Sequence, residues 1–358
     1  MQSSEKLVPV NTALCSFGMS GKIFHAPFLK VNPLFHLSAV WERTKELSRE
    51  MFPDIKIYRS LEELLADKDI ELIIVNTPNR THFEYAKKAL NAGKHVVVEK
   101  PFTITAKEGL QLKKLAEEKH LVLTVYHNRR FDSDYKVIRE ILKSKKLGKV
   151  LESEMHFDRY RPEPGKKKHK EQPGAGTGNL YDLGSHLLDQ AIQLFGMPDE
   201  LFAVMDIIRK KSKVDDFFDV ILFYQNHLKV RVHGSYLSPD FLPGYIFYGE
   251  KGAFFKYKTN VQEEILSKGI LPGSKNWGAE PSQQNGTLIT YEGKTSSVTR
   301  IPSPNGNYGE FYNLLFYAIR KNKPAPVSAT DAIRVVHLIE CAFHSNRLKR
   351  TIKVPSLI

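Results

Sequence analysis

Between residues 12 and 126, short apolar runs alternate with amphipathic, capped segments, and this alternation constrains the fold more than any other feature of the chain. Residues 12–17 predict a strand and 21–29 a helix interrupted by Pro27. A second strand follows at 35–41 and a charged helix at 45–52. Ser60 with Glu63, and Thr105 with Glu108, have the spacing of capping boxes, so helices are expected to start at both places. Residues 72–76 are nearly all apolar, as in a strand buried on both faces. A helix over 81–92 ends at Gly93, a left-handed C-cap, and strands at 95–99 and 122–126 complete the series. Strand–helix alternation requires a parallel sheet with right-handed crossovers, so residues 1–126 are expected to form an α/β, doubly wound, dinucleotide-binding type of domain.

After residue 126 the rhythm changes. Residues 149–160 alternate like a half-exposed strand, and 180–195 read as one helix. Strand-like runs at 201–208, 217–224, 227–236, 245–257 and 287–291 have no helices between them, and helices at 310–321 and 329–346 close the series. The expectation for 127–358 is an α+β domain with a largely antiparallel sheet, covered by helices on one face. Its other face is rich in Phe, Tyr, Val and Ile, so a homodimer or homotetramer formed through that sheet is expected.

The chain has 358 residues and a formal net charge of +13. Its basic residues are scattered apart from Lys166–Lys170, which reads most simply as a solvated loop and alternatively as a positive lip for an anionic substrate. No specific nucleic-acid partner is expected, and any binding of DNA should vanish at physiological salt. The longest wholly apolar run is Leu314 to Ile319, far short of the roughly 20 residues that span a bilayer. The start of the sequence shows no signal-peptide pattern, and Cys15 and Cys341 cannot form a disulfide framework. These features lead to the expectation of a reduced, cytoplasmic protein.

The first strand runs into Ser16-Phe17-Gly18-Met19-Ser20-Gly21 and then directly into a helix, a dinucleotide fingerprint whose first glycine is Ser16. Gly18 stands where the backbone must approach a pyrophosphate, and Gly21 where helix and strand pack closely. Glu42, 24 residues after Gly18, is positioned to hold an adenine ribose. Thr77-Pro78-Asn79 and Glu99-Lys100-Pro101 follow two further strands. All four segments therefore fall on one carboxyl edge of one sheet, where open α/β sheets bind ligands. Lys100 is either a snorkelling surface lysine or an ammonium placed to orient a substrate hydroxyl. In the second domain Asp182 and His186 stand at i, i+4 after the glycine-rich segment 174–178. With Asp189, Gln190 and Gln193 they form either a polar stripe facing water or an oriented general base. No third ligand accompanies the pair, so no metal site is expected.

These segments, together with Lys22-Ile23-Phe24-His25-Ala26-Pro27, Gly93–Pro101, Tyr126-His127-Asn128-Arg129-Arg130-Phe131-Asp132, Phe157-Asp158-Arg159-Tyr160-Arg161-Pro162 and Leu180–His186, resemble the Gfo/Idh/MocA oxidoreductases. The likeness covers nearly the whole chain and is nearest to the scyllo-inositol dehydrogenase-like branch. It implies that Lys100, Asp182 and His186 act together: His186 takes a hydroxyl proton, Lys100 polarises that oxygen, Asp182 positions both, and hydride passes to a nicotinamide. It also implies that Arg129, Tyr160 and Arg161 line a sugar pocket with Lys100, Asp182 and His186. Phe17, Gly18, Met19, Ser20, Gly21, Glu42, Arg43, Thr44, Thr77, Pro78, Asn79, His82, Glu99, Lys100 and Asn128 would hold the cofactor. That cofactor is NAD or NADP: Glu42 favours a free 2′-hydroxyl, whereas Arg43 and Thr44 favour a 2′-phosphate. The implied substrate is a sugar, cyclitol or related polyol. The competing expectation is a non-catalytic regulatory protein that keeps the nucleotide site, which would have no use for the three catalytic side chains in concert.

Overall fold

The computed structural model describes residues 7–165, 171–239 and 242–357, so the basic run Lys166–Lys170 lies outside the described residues. The first sheet contains β1 (Val10–Leu14), β2 (Phe35–Trp41), β3 (Lys56–Tyr58), β4 (Leu72–Val75), β5 (His95–Val98) and β6 (Leu123–Val125). Their order is β3-β2-β1-β4-β5-β6, and every pair is parallel. The order reverses between β1 and β4, which opens a crevice at their carboxyl ends. All four residues of β4 are buried, as its unbroken apolar run requires. Between the strands lie α1 (Ala26–Val31), α2 (Leu61–Ala66), α3 (His82–Asn91) and α4 (Ala106–Glu118). Both capping boxes are formed, and Gly93 has φ of 75°.

Three local expectations need correction in this half. Pro27 does not interrupt a helix: it occupies the first turn of α1, where its missing N–H costs nothing. A wide helical turn at Ser20–His25 precedes α1, with the Ala26 N–H bonded five residues back to the Gly21 carbonyl. The charged segment 45–52 forms only the short 3₁₀ turn Leu47–Glu50. The sequence reading passed over β3, because three residues at a sheet edge give too short a run to show a period.

The second sheet has nine strands: β7 (Val150–His156), β8 (Glu200–Asp206), β9 (Phe217–Phe223), β10 (Lys229–Ser235), β11 (Tyr245–Gly249), β12 (Gly252–Lys256), β13 (Gly286–Glu292), β14 (Thr295–Ile301) and β15 (Ile352–Lys353). Their order is β14-β13-β12-β11-β7-β10-β9-β8-β15, antiparallel throughout except for β7 with β10. The run 245–257 is two strands rather than one, paired as a hairpin from Tyr245↔Lys256 to Gly249↔Gly252. Helices α5 (Ser133–Lys143), α6 (Ser185–Phe195), α7 (Val261–Ser267), α8 (Gly309–Lys321) and α9 (Ala329–Leu348) complete the molecule. The segment 180–195, expected as one helix, begins as a second wide turn at Leu180–Gly184 before α6.

Two cores result, and the end of the chain serves both. Helix α8 buries Phe311, Tyr312, Leu315 and Phe316 in the core of the first sheet. Helix α9 gives Ile333 and Val336 to that core and Val335, Leu338, Ile339 and Ala342 to the other. A helix that is apolar on two sides is buried between layers. Each fully buried Leu or Phe contributes about 1.5–3 kcal/mol, so the last helices fix the relation between the sheets. No helix among the described residues is long and apolar enough to cross a membrane.

Candidate active site

The crevice begins where β1 and β4 end. The Ser16 N–H donates to Asn76 Oδ1 (3.0 Å), the Ser16 hydroxyl to the Asn76 carbonyl (2.9 Å), and Asn76 Nδ2 to the Ser16 carbonyl (2.8 Å). Ser16 thus replaces the usual glycine with a side chain that ties the two strand ends together. At Gly21 a Cβ would stand 2.4 Å from the Ser16 carbonyl oxygen and 2.9 Å from Asn76 Nδ2, so only glycine lets the helix lie this close. At Gly18 a Cβ would meet nothing nearer than Ser16 Oγ at 4.0 Å. The loop therefore packs tightly on the protein side and stays open on the other, which fits the pyrophosphate of a dinucleotide.

Glu99 and Lys100, consecutive residues beyond β5, face different partners. The Glu99 carboxylate accepts from the Ser20 hydroxyl and lies 3.0 Å from His25 Nε2, while His25 Nδ1 is 2.7 Å from the Tyr312 hydroxyl. Burial alone would raise its pKa, but the His25 and Ser20 contacts and the Lys100 ammonium hold it at about 2. Lys100 reaches across to the wide turn of the second domain, where Nζ donates to the Asp182 carbonyl (2.7 Å) and to Asp182 Oδ1 (3.1 Å). That turn is held at its start by Asp215, which accepts from the Leu180 N–H at 2.9 Å. Gly178, at φ of 98°, passes so near Asp215 that no side chain fits there.

His186 lies in the first turn of α6 and is 5% exposed. Its Nδ1 is buried without a hydrogen-bond partner. Burial first, then the charges of Lys100, Arg129, His127 and Lys258, hold its pKa well below the ordinary histidine value. The imidazole is therefore neutral at pH 7 and able to take up a proton. The stripe on α6 does not face water: His186, Asp189 and Gln190 are buried, and only Gln193 is exposed. Asp189 is engaged by Arg130, with contacts of 2.6 and 2.8 Å, and Gln190 is bonded to the Arg129 carbonyl and the Tyr245 hydroxyl.

The remaining expected residues fall into three groups. Thr77 contacts Thr81 through its hydroxyl, and Asn79 Nδ2 donates to the Gly176 carbonyl at 3.2 Å, bringing the glycine-rich segment of the second domain over the crevice. Buried Asn128 begins the turn beyond β6. His82 is buried, with its two ring nitrogens each 2.9 Å from the carbonyls of Thr77 and Pro101, and joins the two loops from behind. Glu42 is buried, and its carboxylate accepts from the N–H groups of Leu47 (2.9 Å) and Ser48 (3.0 Å) and from the Ser48 hydroxyl. Arg43 and Thr44 beside it are exposed.

Arg129 is buried and committed to protein partners: Asp132 at 3.1 Å, Asn260 at 3.0 Å and Glu263 at 2.9 Å. Tyr160 is 68% exposed, and Arg161 is exposed as well. Arg159, just before them, was not among the residues expected to line the site. The chain beyond β7 stays extended, with the N–H groups of Phe157, Arg159 and Arg161 bonded to the carbonyls of His233, Ser235 and Tyr236. Side chains in an extended chain alternate, so Phe157 and Arg159 share the face toward α6. The Phe157 ring lies 6.3 Å from that of His186 and carries Arg159 at 5.0 Å and Lys258 at 4.4 Å. Arg159 has no carboxylate partner among the described residues. Lys258, through burial, has its pKa lowered to about 8. The period-two rule applied from Phe157 selects Arg159 together with Arg161, of which the structure leaves Arg161 exposed.

Residues 10–127 match the model of an oxidoreductase family with an NAD-binding Rossmann fold, and residues 135–255 match the GFO/IDH/MocA C-terminal domain. The chain is 37% identical over 353 residues to scyllo-inositol 2-dehydrogenase (NADP(+)) IolW of Bacillus subtilis, covering 98% of both chains. It is 36% identical to the oxidoreductase YdgJ of Escherichia coli, whose activity is uncharacterized, covering 96% of this chain and 98% of that one. Among solved structures, yvaA of Bacillus subtilis superposes with a TM-score of 0.94 at 37% identity, covering 98% and 99% of the two chains. An oxidoreductase of Bacillus cereus gives 0.90 at 30%, again covering 98% and 99%. With its crevice, its paired domains and these likenesses agreeing along its length, the chain belongs to the Gfo/Idh/MocA family of NAD(P)-dependent oxidoreductases.

Proposed function

We propose that the enzyme transfers a hydride between NADP(H) and the CH–OH carbon of a cyclitol, sugar or related polyol, with Lys100, Asp182 and His186 as its catalytic group. The observation that carries this reading is the contact of Lys100 Nζ with Asp182 across the crevice, one turn before a buried, neutral His186. The nicotinamide, when bound, supplies the hydride acceptor or donor. In the oxidation direction the His186 imidazole accepts the proton of the substrate hydroxyl, and the Lys100 ammonium orients that oxygen and stabilises the charge growing on it. Asp182 holds Lys100 in place. Arg159 and Lys258, gathered on Phe157, offer donors to the other oxygens of a polyhydroxylated ring. A relative named for 1,5-anhydro-D-fructose reduction, from Ensifer adhaerens, is 25% identical over 59% of this chain and supports a sugar-like substrate.

The choice of NADP rests on Glu42. Both of its oxygens already accept from the turn at Leu47 and Ser48 and the residue is 7% exposed, so it is turned into the protein more than toward a ribose 2′-hydroxyl. Exposed Arg43 and Thr44 are then the groups available to a 2′-phosphate, and the IolW relative is named for NADP(+). The outward face of the second sheet, which carries Phe202, Ile221, Phe223 and Phe255, is read as a contact between copies of the chain, and a sedimentation profile showing only monomer would remove that part.

The test is the purified chain incubated with NADP or NAD and a panel of inositols, sugars and linear polyols. Growth of the reduced-nicotinamide absorbance with NADP and at least one cyclic polyol is expected. Binding of the dinucleotide with no turnover on any CH–OH compound, in either direction, would sink the proposal.

A further inference from the structure

On the far side of the second sheet lies a cluster that the nicotinamide site does not use. His156 ends β7, His233 lies in β10, and the two are register partners in the sheet's one parallel pair. Asp158 follows β7 by two residues. Their neighbours Met155 and Val232 are fully buried in the core against α6, so by alternation His156, Asp158 and His233 face the opposite way. Among the described residues these are the one group of three His, Cys, Asp or Glu side chains with donor atoms all within 4.8 Å of one another.

Their distances are informative. His156 Nδ1 lies 3.4 Å from Asp158 Oδ2, and His233 Nε2 lies 3.5 Å from Asp158 Oδ1. Both exceed a good N–H···O bond, which closes to about 2.7–3.2 Å. Each is close to the edge, about 3.3 Å, of a tetrahedron with ligands about 2.0–2.1 Å from its centre, with the two imidazoles facing different oxygens of the one carboxylate. The second nitrogen of each imidazole also turns toward a carboxylate. His156 Nε2 is 2.9 Å from Glu154 Oε2, within bonding reach, whereas His233 Nδ1 stands 4.0 Å from Asp219 Oδ1 and makes no hydrogen bond. A carboxylate behind a histidine is how metal-bound imidazoles are oriented and made more basic. Asp158 is itself fixed by the Ser235 N–H at 3.0 Å. The charges agree: Asp158, Glu154 and Asp219 face one guanidinium, Arg231, and leave a surplus of negative charge.

We propose that His156, Asp158 and His233 form a site for a divalent transition-metal ion, with Zn²⁺ the best match and water completing the tetrahedron. Two imidazole nitrogens and one carboxylate suit Zn²⁺ and Co²⁺, whereas Mg²⁺ and Ca²⁺ require oxygen ligands. All three donors come from one chain, so the site stands whether or not a second copy covers the sheet, and it is independent of the nicotinamide chemistry.

Full-length protein stripped with a chelator is titrated with ZnCl₂ against a chromophoric competitor, and with CoCl₂ followed by its visible spectrum. One equivalent per chain and a tetrahedral cobalt spectrum are expected. His156→Ala or His233→Ala should weaken binding by about 100-fold or more, and Glu154→Gln by about 10-fold. Each variant is checked for its folded circular dichroism and for dinucleotide binding. Stoichiometry well below one, or unchanged affinity in folded His156→Ala/His233→Ala protein, would overturn the proposal. So would loss of the metal in His186→Ala protein.

Discussion

Two helices in this enzyme begin with a wide turn, Ser20–His25 before α1 and Leu180–Gly184 before α6, and in the function proposed above the first turn serves binding and the second chemistry. Wide turns cost backbone geometry and concentrate at functional sites. Both are gripped by adjacent residues of one strand end: Glu99 holds the first and Lys100 the second. The first grip lies within a domain, closes on Ser20 and His25, and gives a carboxylate that stays ionised down to about pH 2. The second crosses between domains, closes on Asp182, and leads to an imidazole kept neutral by burial and by nearby cations. The first arrangement is suited to holding a loop still, and the second to moving a proton.

The largest effect should come from the second turn. His186→Ala or Lys100→Ala should lower turnover by about 10²–10⁴-fold while the dinucleotide still raises the melting temperature. If catalysis recovers at saturating nucleotide, the division between the turns fails. The next effect is acid lability. Burial lowers the pKa values of His82, His127 and His186, with that of His127 at about 4. The unfolded chain protonates these rings near pH 6.5 and the folded chain does not, so stability present above pH 6.5 falls as pH drops. His127 alone should account for about 3 kcal/mol of that loss by pH 4. Denaturation midpoints from pH 7.5 to 4 measure the loss, and amide exchange at pH 5 should open Leu180–Gly184 before Ser20–His25. The reverse order of opening would break the comparison.

Smaller effects sharpen it on the nucleotide side. Arg43→Ala should raise the KM for NADP by about 10–100-fold and leave that for NAD within a few-fold, as expected for losing one charged contact. Glu42→Gln should shift the NADP-to-NAD preference by less than about threefold, because the carboxylate serves the turn at Leu47 and Ser48. It should instead cost about 1–2 kcal/mol of stability, read by thermal unfolding. A large gain in preference from Glu42→Gln would return that residue to the ribose.

The nucleotide half was legible because its signals are local. Capping boxes, the Gly18–Gly21 spacing and the apolar run of β4 each depend on a few consecutive residues. The partners of those residues were not legible: nothing near Glu42 in sequence marks it as a cap for Ser48, nor near His25 as a partner of Tyr312. Lys100 was marked by its place on the carboxyl edge of the sheet, family likeness joined it to Asp182 and His186, and the structure brings Lys100 and Asp182 into contact. Asp182 and His186 were paired by the spacing of a regular helix, but the wide turn lies between them, so that spacing rule does not carry across the join. His156, Asp158 and His233 gave no warning, because only the parallel pairing of β7 with β10 brings 156 and 233 side by side.

The sharing of α9 between the two cores, with α8 lodged in the first, bears on how the chain matures. A nascent polypeptide that has emerged only as far as residue 127 has every strand of its first sheet but lacks Phe311, Tyr312, Leu315 and Phe316, the rings and branches that seal it. Such a stub presents an oily flank until residues 311–316 have emerged and docked. Co-translational completion of the nucleotide half therefore waits for α8 and α9, and severing the chain between its halves should yield an aggregating fragment rather than a working module.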